Sequence, residues 1–138
     1  MFSVQEINHP EALAGYRLAW NALWAQTRFA NFFQSFDWFE AYWRHYGSGQ
    51  RMRVLLVLAG SQPLGILPLV VRTDNTRVGP VRVLTYPLSD WGTFYGPIGP
   101  HPTATLLAGM EHIRHTRRDW DLVEMRWVDE DGSDGGRS

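Results

Sequence analysis

The loop between residues 87 and 102 carries the side chains best suited to chemistry. Asp90 is followed by Trp91 and lies within a few residues of Tyr95, in a segment rich in proline, glycine and aromatic residues. Aromatic rings that stack on a sugar, beside a carboxylate that accepts hydrogen bonds from its hydroxyls, would suit a carbohydrate. The run Ser89-Asp90-Trp91-Gly92 is also typical of a turn in which Asp accepts backbone hydrogen bonds, and this structural role is favoured.

Histidines are the other candidates for proton transfer or metal binding. His101 could act as a general base, but its position between two prolines at a helix start is typical of a cap or a solvent-facing residue. His112 and His115 are three residues apart, without a Cys or a convincing second carboxylate pair beside them. We therefore predict no metal site and identify no catalytic residue. The predicted substrate-binding residues are Asp90, Trp91, Tyr95 and His101.

Composition excludes several mechanisms. The chain has 138 residues. All 13 of its Lys and Arg positions are Arg, and it contains no Cys. Schiff-base chemistry needs a Lys amine, whereas thiol catalysis, disulfides and Cys-ligated metals need a thiolate. No GxSxG motif is present. The paired carboxylates Asp119 and Asp121 flank a predicted turn, where solvation explains them, so glycosidase chemistry is unsupported.

Charge and hydropathy restrict the partners. Residues 1–128 hold 12 bases and 10 acids, a surplus too small for a nucleic-acid-binding surface. No basic and apolar leader opens the chain, and no apolar run approaches the ~18 residues of a membrane-spanning helix. We therefore expect a cytoplasmic protein that binds no nucleic acid and does not span a membrane.

Apolar periodicity predicts one α+β domain over residues 1–128, followed by a disordered acidic tail or linker over 129–138. A strand precedes two helices, the second capped by Ser35. Three antiparallel strands then form a meander, before a helix that starts at Pro102 and a final strand. The predicted strands are 2–7, 51–59, 64–72, 78–86 and 121–128, the first two helices are 10–26 and about 35–47, and the meander turns are 60–63 and 73–76.

Two details of the strands follow from single residues. Pro68 cannot donate a hydrogen bond to a sheet, so it should lie at a bulge or at an edge-facing position. In the last strand, Val123, Met125 and Trp127 form the more apolar side and are predicted to face inward.

The order of elements and three local stretches resemble a known family. The stretches are Phe33–Gly47, Gly65–Arg72 and Leu88–Gly92. Together they resemble the N-terminal part of the CelD-like acetyltransferases, a branch of the GCN5-related N-acetyltransferases (GNAT) related to FemAB-type enzymes. The resemblance covers roughly residues 2–128. It implies a GNAT-like α/β sandwich, with a mixed, mainly antiparallel sheet flanked by helices in the order β-α-α-β-β-β-α-β.

The resemblance also implies a function, the transfer of an acyl group from acetyl-CoA or another acyl-CoA to a sugar or amine in polysaccharide or cell-envelope biosynthesis. In this family a second GNAT domain normally follows and binds the acyl-CoA. A GNAT site holds the CoA pyrophosphate with backbone N–H groups of a glycine-rich loop at a helix N-terminus. The corresponding loop here contains Pro97, Pro100 and Pro102, which have no N–H to donate.

We therefore expect that this domain alone binds no CoA and is not catalytic alone. Its partner would be a second GNAT domain, encoded downstream or on another chain. Two alternatives remain open. One is a self-sufficient small acetyltransferase completed as a homodimer, and the other is a carbohydrate-binding module that uses Trp91 and Tyr95.

Overall fold

The computed structural model describes residues 2–28, 30–87, 96–116 and 118–124. Its elements are β1 (Phe2–Ile7), α1 (Pro10–Ala14), α2 (Arg17–Ala25), a 3-10 turn (Phe32–Gln34), α3 (Phe36–Tyr46), β2 (Arg51–Ala59), β3 (Gln62–Thr76), β4 (Gly79–Thr85), α4 (Pro102–Arg114) and β5 (Leu122–Glu124). The predicted α+β order is confirmed. The predicted tail, 129–138, lies outside the described residues. Within the described ranges, no helix is long and apolar enough to cross a membrane.

The five strands form one sheet in the order β1-β2-β3-β4-β5. The first four are antiparallel neighbours, and β5 lies parallel to β4. Gly60 and Gly79, at the two turns of the meander, have φ angles of 64° and 111°, which favour glycine. The predicted turn at 73–76 is wrong, because β3 stays paired with β4 until Thr76 lies opposite Gly79.

Pro68 lies in β3 opposite Val54. Its nitrogen points to the same side of the strand as that of Ile66, which donates to the Ile98 carbonyl on the side away from β2. Described pairing between β3 and β4 begins only at Val70. The missing N–H therefore faces a side of β3 that has no strand partner among the described residues, which is compatible with the predicted edge-facing position.

The predicted helix 10–26 is wrong as a single element, because it breaks at Gly15 and Tyr16. Both residues donate to carbonyls three positions earlier, as at the end of a helix. Glycine is less favourable than alanine in a helix interior by about 1 kcal/mol. The break lets α1 contact β1 while α2 packs on β3, and it places Trp20 of α2 in the core.

Apolar side chains pack on both faces of the sheet. Trp20 of α2 packs with apolar residues of α1 and α3 on one face, and α4 packs against β2 and β3 on the other. Glycines allow the close approach of α4. A Cβ at Gly65 of β3 would collide with Thr105, and a Cβ at Gly109 of α4 would collide with Leu67. This close packing fixes where the end of α4 meets the sheet.

One further local prediction is confirmed, and a second is supported at its one described residue. The Ser35 hydroxyl accepts a hydrogen bond from the Trp38 N–H at 3.2 Å, so it caps α3. In β5, Val123 packs against the core on the α4 side, whereas Leu122 is exposed. The inward side was predicted to include Met125 and Trp127 as well, and both lie outside the described residues.

Candidate functional site

The loop singled out from the sequence is described only in its second half. Asp90, Trp91 and Tyr95 lie outside the described residues, so their role in substrate binding stays a prediction. His101 directly precedes α4, is exposed and makes no side-chain cap hydrogen bond. Its carbonyl accepts from the Thr105 N–H at 3.0 Å. Substrate binding by the His101 side chain also stays a prediction.

Residues 96–100 pack along β3. The N–H of Ile98 donates to the Ile66 carbonyl at 2.8 Å, and that of Gly99 donates to the Thr27 hydroxyl at 2.8 Å. Gly99 has a φ of 131°, and a Cβ there would lie 2.7 Å from the Leu64 carbonyl oxygen, so the position requires glycine. The backbone donors of Ile98 and Gly99 are therefore used within the protein.

A polar cavity of about 820 Å³ opens at the other end of the sheet. On β2, Arg51 lines the cavity, whereas Val57 lies opposite Gly65, which is close to Gly99 of the loop before α4. The extended strand from Arg51 to Val57 is about 20 Å long. The cavity lies where β1 and α4 end and where β2 and β5 begin, so it gathers side chains that are distant in sequence. Its arginine and carboxylate lining residues are Glu6, Arg51, Arg53, Arg82, Arg118 and Asp119.

Arg53 is the most buried charged residue of this cavity, with a side chain that is 6% exposed. Its Nε donates to Glu6 Oε2 at 2.6 Å and its Nη2 to Oε1 at 3.0 Å, a bidentate contact. Its Nη1 donates to Asp119 Oδ1 at 3.2 Å, and Nη2 also donates to the Thr116 hydroxyl at 3.0 Å. One buried guanidinium thus joins β1 and β2 to the segment that follows α4.

Further groups satisfy the oxygens of the two carboxylates. Asn8 Nδ2 donates to Glu6 Oε2 at 2.9 Å, and His112 Nε2 lies 2.9 Å from Glu6 Oε1. Because a carboxylate only accepts, this His112 nitrogen carries the proton. Arg51 Nε lies 3.0 Å from Asp119 Oδ2. Several donors for each carboxylate offset the cost of burying charge.

These contacts determine the ionisation of Glu6. Burial raises the pKa of the Glu6 carboxyl, but hydrogen bonds from Arg53, His112 and Asn8 outweigh burial and lower this pKa to about 2. The Glu6 carboxylate in turn holds the pKa of Arg53 above its ordinary value. Glu6 is therefore ionised at neutral pH and is poorly suited to act as a general base there.

The lowered pKa of Glu6 makes the stability of the fold sensitive to acid. A carboxyl whose pKa falls from 4.5 to about 2 on folding contributes about 3 kcal/mol above pH 5. This contribution disappears as the pH falls from 5 towards 2, because the unfolded chain takes up the proton first. Glu6→Gln should therefore lower the free energy of unfolding at pH 7 by an amount that shrinks towards pH 2. Urea unfolding at a series of pH values measures the difference.

Glu111→Gln is the control for this pH series. Its carboxylate pairs with Arg114 at 3.1 Å, but both side chains are exposed, so the substitution should change stability little at any pH. A loss of stability in Glu6→Gln that stays constant between pH 7 and pH 2 would contradict the prediction.

Three arginines at the rim of the cavity are more exposed than Arg53. Arg82 pairs with Asp121 through Nη2 at 3.1 Å and Nε at 3.3 Å. Arg118 lies over the Trp120 ring, with Cζ 4.4 Å from the ring centre, and its Nε donates to the Trp120 carbonyl at 3.1 Å. The third is Arg51. Four arginines in all, set against two carboxylates, give the lining a net positive charge.

Sequence reasoning missed this cavity. It attributed Asp119 and Asp121 to a solvated turn, which is wrong for Asp119, because that side chain is 17% exposed and bonded to Arg53. The available signal was Arg53 itself, a charged residue in the apolar run of β2 that needs a partner if buried. The hydrophobic periodicity of the sequence cannot identify that partner, because Glu6 lies beside Arg53 only through the pairing of β1 with β2.

Comparisons with known proteins identify no family. No protein-family model matches the chain, and no curated protein matches it. Among solved structures, the crystal structure of a ribosomal-protein-alanine N-acetyltransferase from Brucella melitensis biovar Abortus 2308 is similar, with a TM-score of 0.48 and 12% sequence identity, over 96% of this chain and 85% of that chain. A likeness this distant does not transfer that protein's activity to this chain. The element order of the described residues is itself the one expected of a GNAT-like fold.

Proposed function

We propose that this chain is the N-terminal, GNAT-like domain of a cytoplasmic acyl-CoA-dependent N- or O-acyltransferase, and that the domain alone neither binds acyl-CoA nor catalyses transfer. The observation that carries this proposal is the use of backbone donors in the loop before α4. Pro97, Pro100 and Pro102 have no N–H, and the N–H groups of Ile98 and Gly99 already donate within the protein.

A pyrophosphate site at a helix N-terminus needs several N–H groups that point together at the anion. In the described part of this loop, the N–H groups of Ile98 and Gly99 donate to other residues and are therefore not available to an anion. The helix dipole at Pro102 remains, but at an exposed site it favours an anion by only about 0.3–1 kcal/mol. A ligand with micromolar affinity needs about 8 kcal/mol. The dipole alone therefore cannot hold CoA.

The acyl-CoA would be bound by a second GNAT domain, either beyond the linker predicted at 129–138 or on another chain. Residues 1–128 would then supply the acceptor side, with Asp90, Trp91, Tyr95 and His101 as its predicted substrate-binding residues. A sugar or an amine would be the acceptor, in polysaccharide or cell-envelope biosynthesis. The support for these assignments is the resemblance to CelD-like acetyltransferases.

Isothermal titration with acetyl-CoA tests the proposal. We expect no saturable binding below about 1 mM, and no release of free thiol from acetyl-CoA when amines or sugars are added. Sedimentation in the same buffer establishes whether the chain is a monomer. A micromolar dissociation constant, or thiol release by the chain alone, would overturn the proposal, and thiol release by a dimer would favour the self-sufficient acetyltransferase.

A further inference from the structure

We propose that the arginine-lined cavity at the end of β1 and β2 binds a phosphorylated small molecule of about the size of a sugar phosphate. The site is distinct from the loop before α4, which lies at the other end of the sheet. Its charge, its open hydrogen-bond donors and its aromatic wall support this inference separately.

The charge of the lining favours an anion. Glu6 accepts from Arg53, Asn8 and His112, and both oxygens of Asp119 are engaged by arginines. These two carboxylates, together with Asp121 on Arg82, neutralise three of the four lining arginines and leave a surplus of about one positive charge. A phosphate monoester carries about −1.5 to −2 at pH 7, so this surplus favours it over a neutral ligand. A neutral sugar would leave it unbalanced.

Donors remain open on the rim arginines. Arg51 uses only Nε, on Asp119, and its two terminal nitrogens have no partner within the described ranges. Arg118 donates from Nε and Nη2 to the carbonyls of Trp120 and Asp121, and its Nη1 has no hydrogen-bond partner among the described residues. The stacking of Arg118 on Trp120 holds that guanidinium in place. Planar guanidinium groups match the oxygens of a phosphate and bind it better than a point charge does.

The rest of the cavity has room and groups for an organic body. A volume of about 820 Å³ falls in the range of small-molecule sites, about 300–1,000 Å³. Trp43 supplies an aromatic wall, and its ring packs over Gly47, where a Cβ would collide with it. Gln50 accepts from the Tyr42 hydroxyl at 2.7 Å through Oε1, and its amide nitrogen donates to none of the residues that the structure describes. A ring that bears hydroxyls fits this combination.

Isothermal titration at low ionic strength with glucose 6-phosphate, inorganic phosphate and glucose tests the proposal. We expect glucose 6-phosphate to bind, inorganic phosphate to bind more weakly at the same site, and glucose not to bind. Arg51→Gln and Arg118→Gln should each weaken glucose 6-phosphate binding about tenfold, because each removes a charged donor. Neither variant removes Arg53 or Glu6, and thermal unfolding checks that both are folded.

Arg114→Gln is the matched control. Arg114 is 71% exposed with one ion pair, to Glu111, and Arg51 is 72% exposed with one ion pair, to Asp119, but Arg114 is not part of the cavity lining. Its loss should leave binding unchanged. The proposal is overturned if both Arg51→Gln and Arg118→Gln bind glucose 6-phosphate normally, if glucose binds equally well, or if neither phosphate binds at about 10 mM.

Acetyl-CoA also carries phosphate groups, so the same variants separate this inference from the proposed function. Micromolar acetyl-CoA binding that Arg51→Gln weakens would belong to the cavity and would support this inference, while still overturning the claim that the domain alone binds no acyl-CoA. Tight acetyl-CoA binding that neither arginine variant affects would belong elsewhere and would contradict the proposed function alone.

Discussion

Replacing Arg53 with Met is expected to lower the free energy of unfolding by about 3–5 kcal/mol, the range for removing one partner of a buried ion pair. Methionine keeps an apolar stem of similar length but has no guanidinium. The carboxylates of Glu6 and Asp119, each with a side chain that is 17% exposed, would then lose the donor that they share. An uncompensated buried charge is more costly than the loss of the attraction itself. Urea unfolding at pH 7 measures the change.

Arg82→Met is the control for this substitution. Arg82 also contacts a carboxylate through two nitrogens, at 3.1 and 3.3 Å from the oxygens of Asp121, but both side chains are about half exposed. Exposed pairs contribute about 0–1 kcal/mol, because water and salt screen them. Equal losses for Arg53→Met and Arg82→Met would contradict the buried network.

Trp20→Ala should be comparably destabilising, by about 3–5 kcal/mol. Trp20 is 1% exposed, and the rings of Phe36 and Phe39 lie 5.5 and 5.4 Å from its own. Its Nε1 donates to the Gln34 carbonyl at 2.9 Å. Alanine would leave a void between α2 and α3 and a buried carbonyl without its donor. Thermal and urea unfolding should both show the loss.

Trp24→Ala separates the contribution of burial from that of the hydrogen bond. Trp24 also donates from Nε1 to a backbone carbonyl, that of Asn31 at 2.9 Å, but it is only partly buried. Its replacement should therefore cost less, about 1–2 kcal/mol. If Trp24→Ala were as damaging as Trp20→Ala, the placement of Trp20 at the centre of the core would be wrong.

Sequence reasoning succeeded where the chemistry of one residue decides the local structure. The Ser35 hydroxyl can cap a helix wherever its position allows, and Pro68 can lie in a sheet only where no donor is needed. It failed where a segment elsewhere in the chain determines the local structure. The polar run 73–76 suggests a turn, but pairing with β4 keeps it in a strand. The break at Gly15 likewise depends on where β1 and β3 lie beneath the helices.

The cavity could not be predicted for a related reason. Glu6, Arg53 and Asp119 lie far apart in the sequence and meet only because β1 pairs with β2 and α4 ends beside both. The sequence does not show whether each of these charged residues is exposed to solvent or forms a buried ion pair. The chemistry predicted for the loop 87–102 rests on Asp90, Trp91 and Tyr95, which lie outside the described residues.

The contacts of Glu6 also have a consequence for folding during synthesis. β1 pairs with β2, and the Glu6 carboxylate bonds to His112, which lies 106 positions further along the chain. The first strand leaves the ribosome before β2, α4 or Asp119 has been made, and N-terminal segments must wait for such partners. Contacts between residues this distant in sequence slow folding. β1 is therefore synthesised before all of these partners, and the contacts of Glu6 are completed only after α4 has been made.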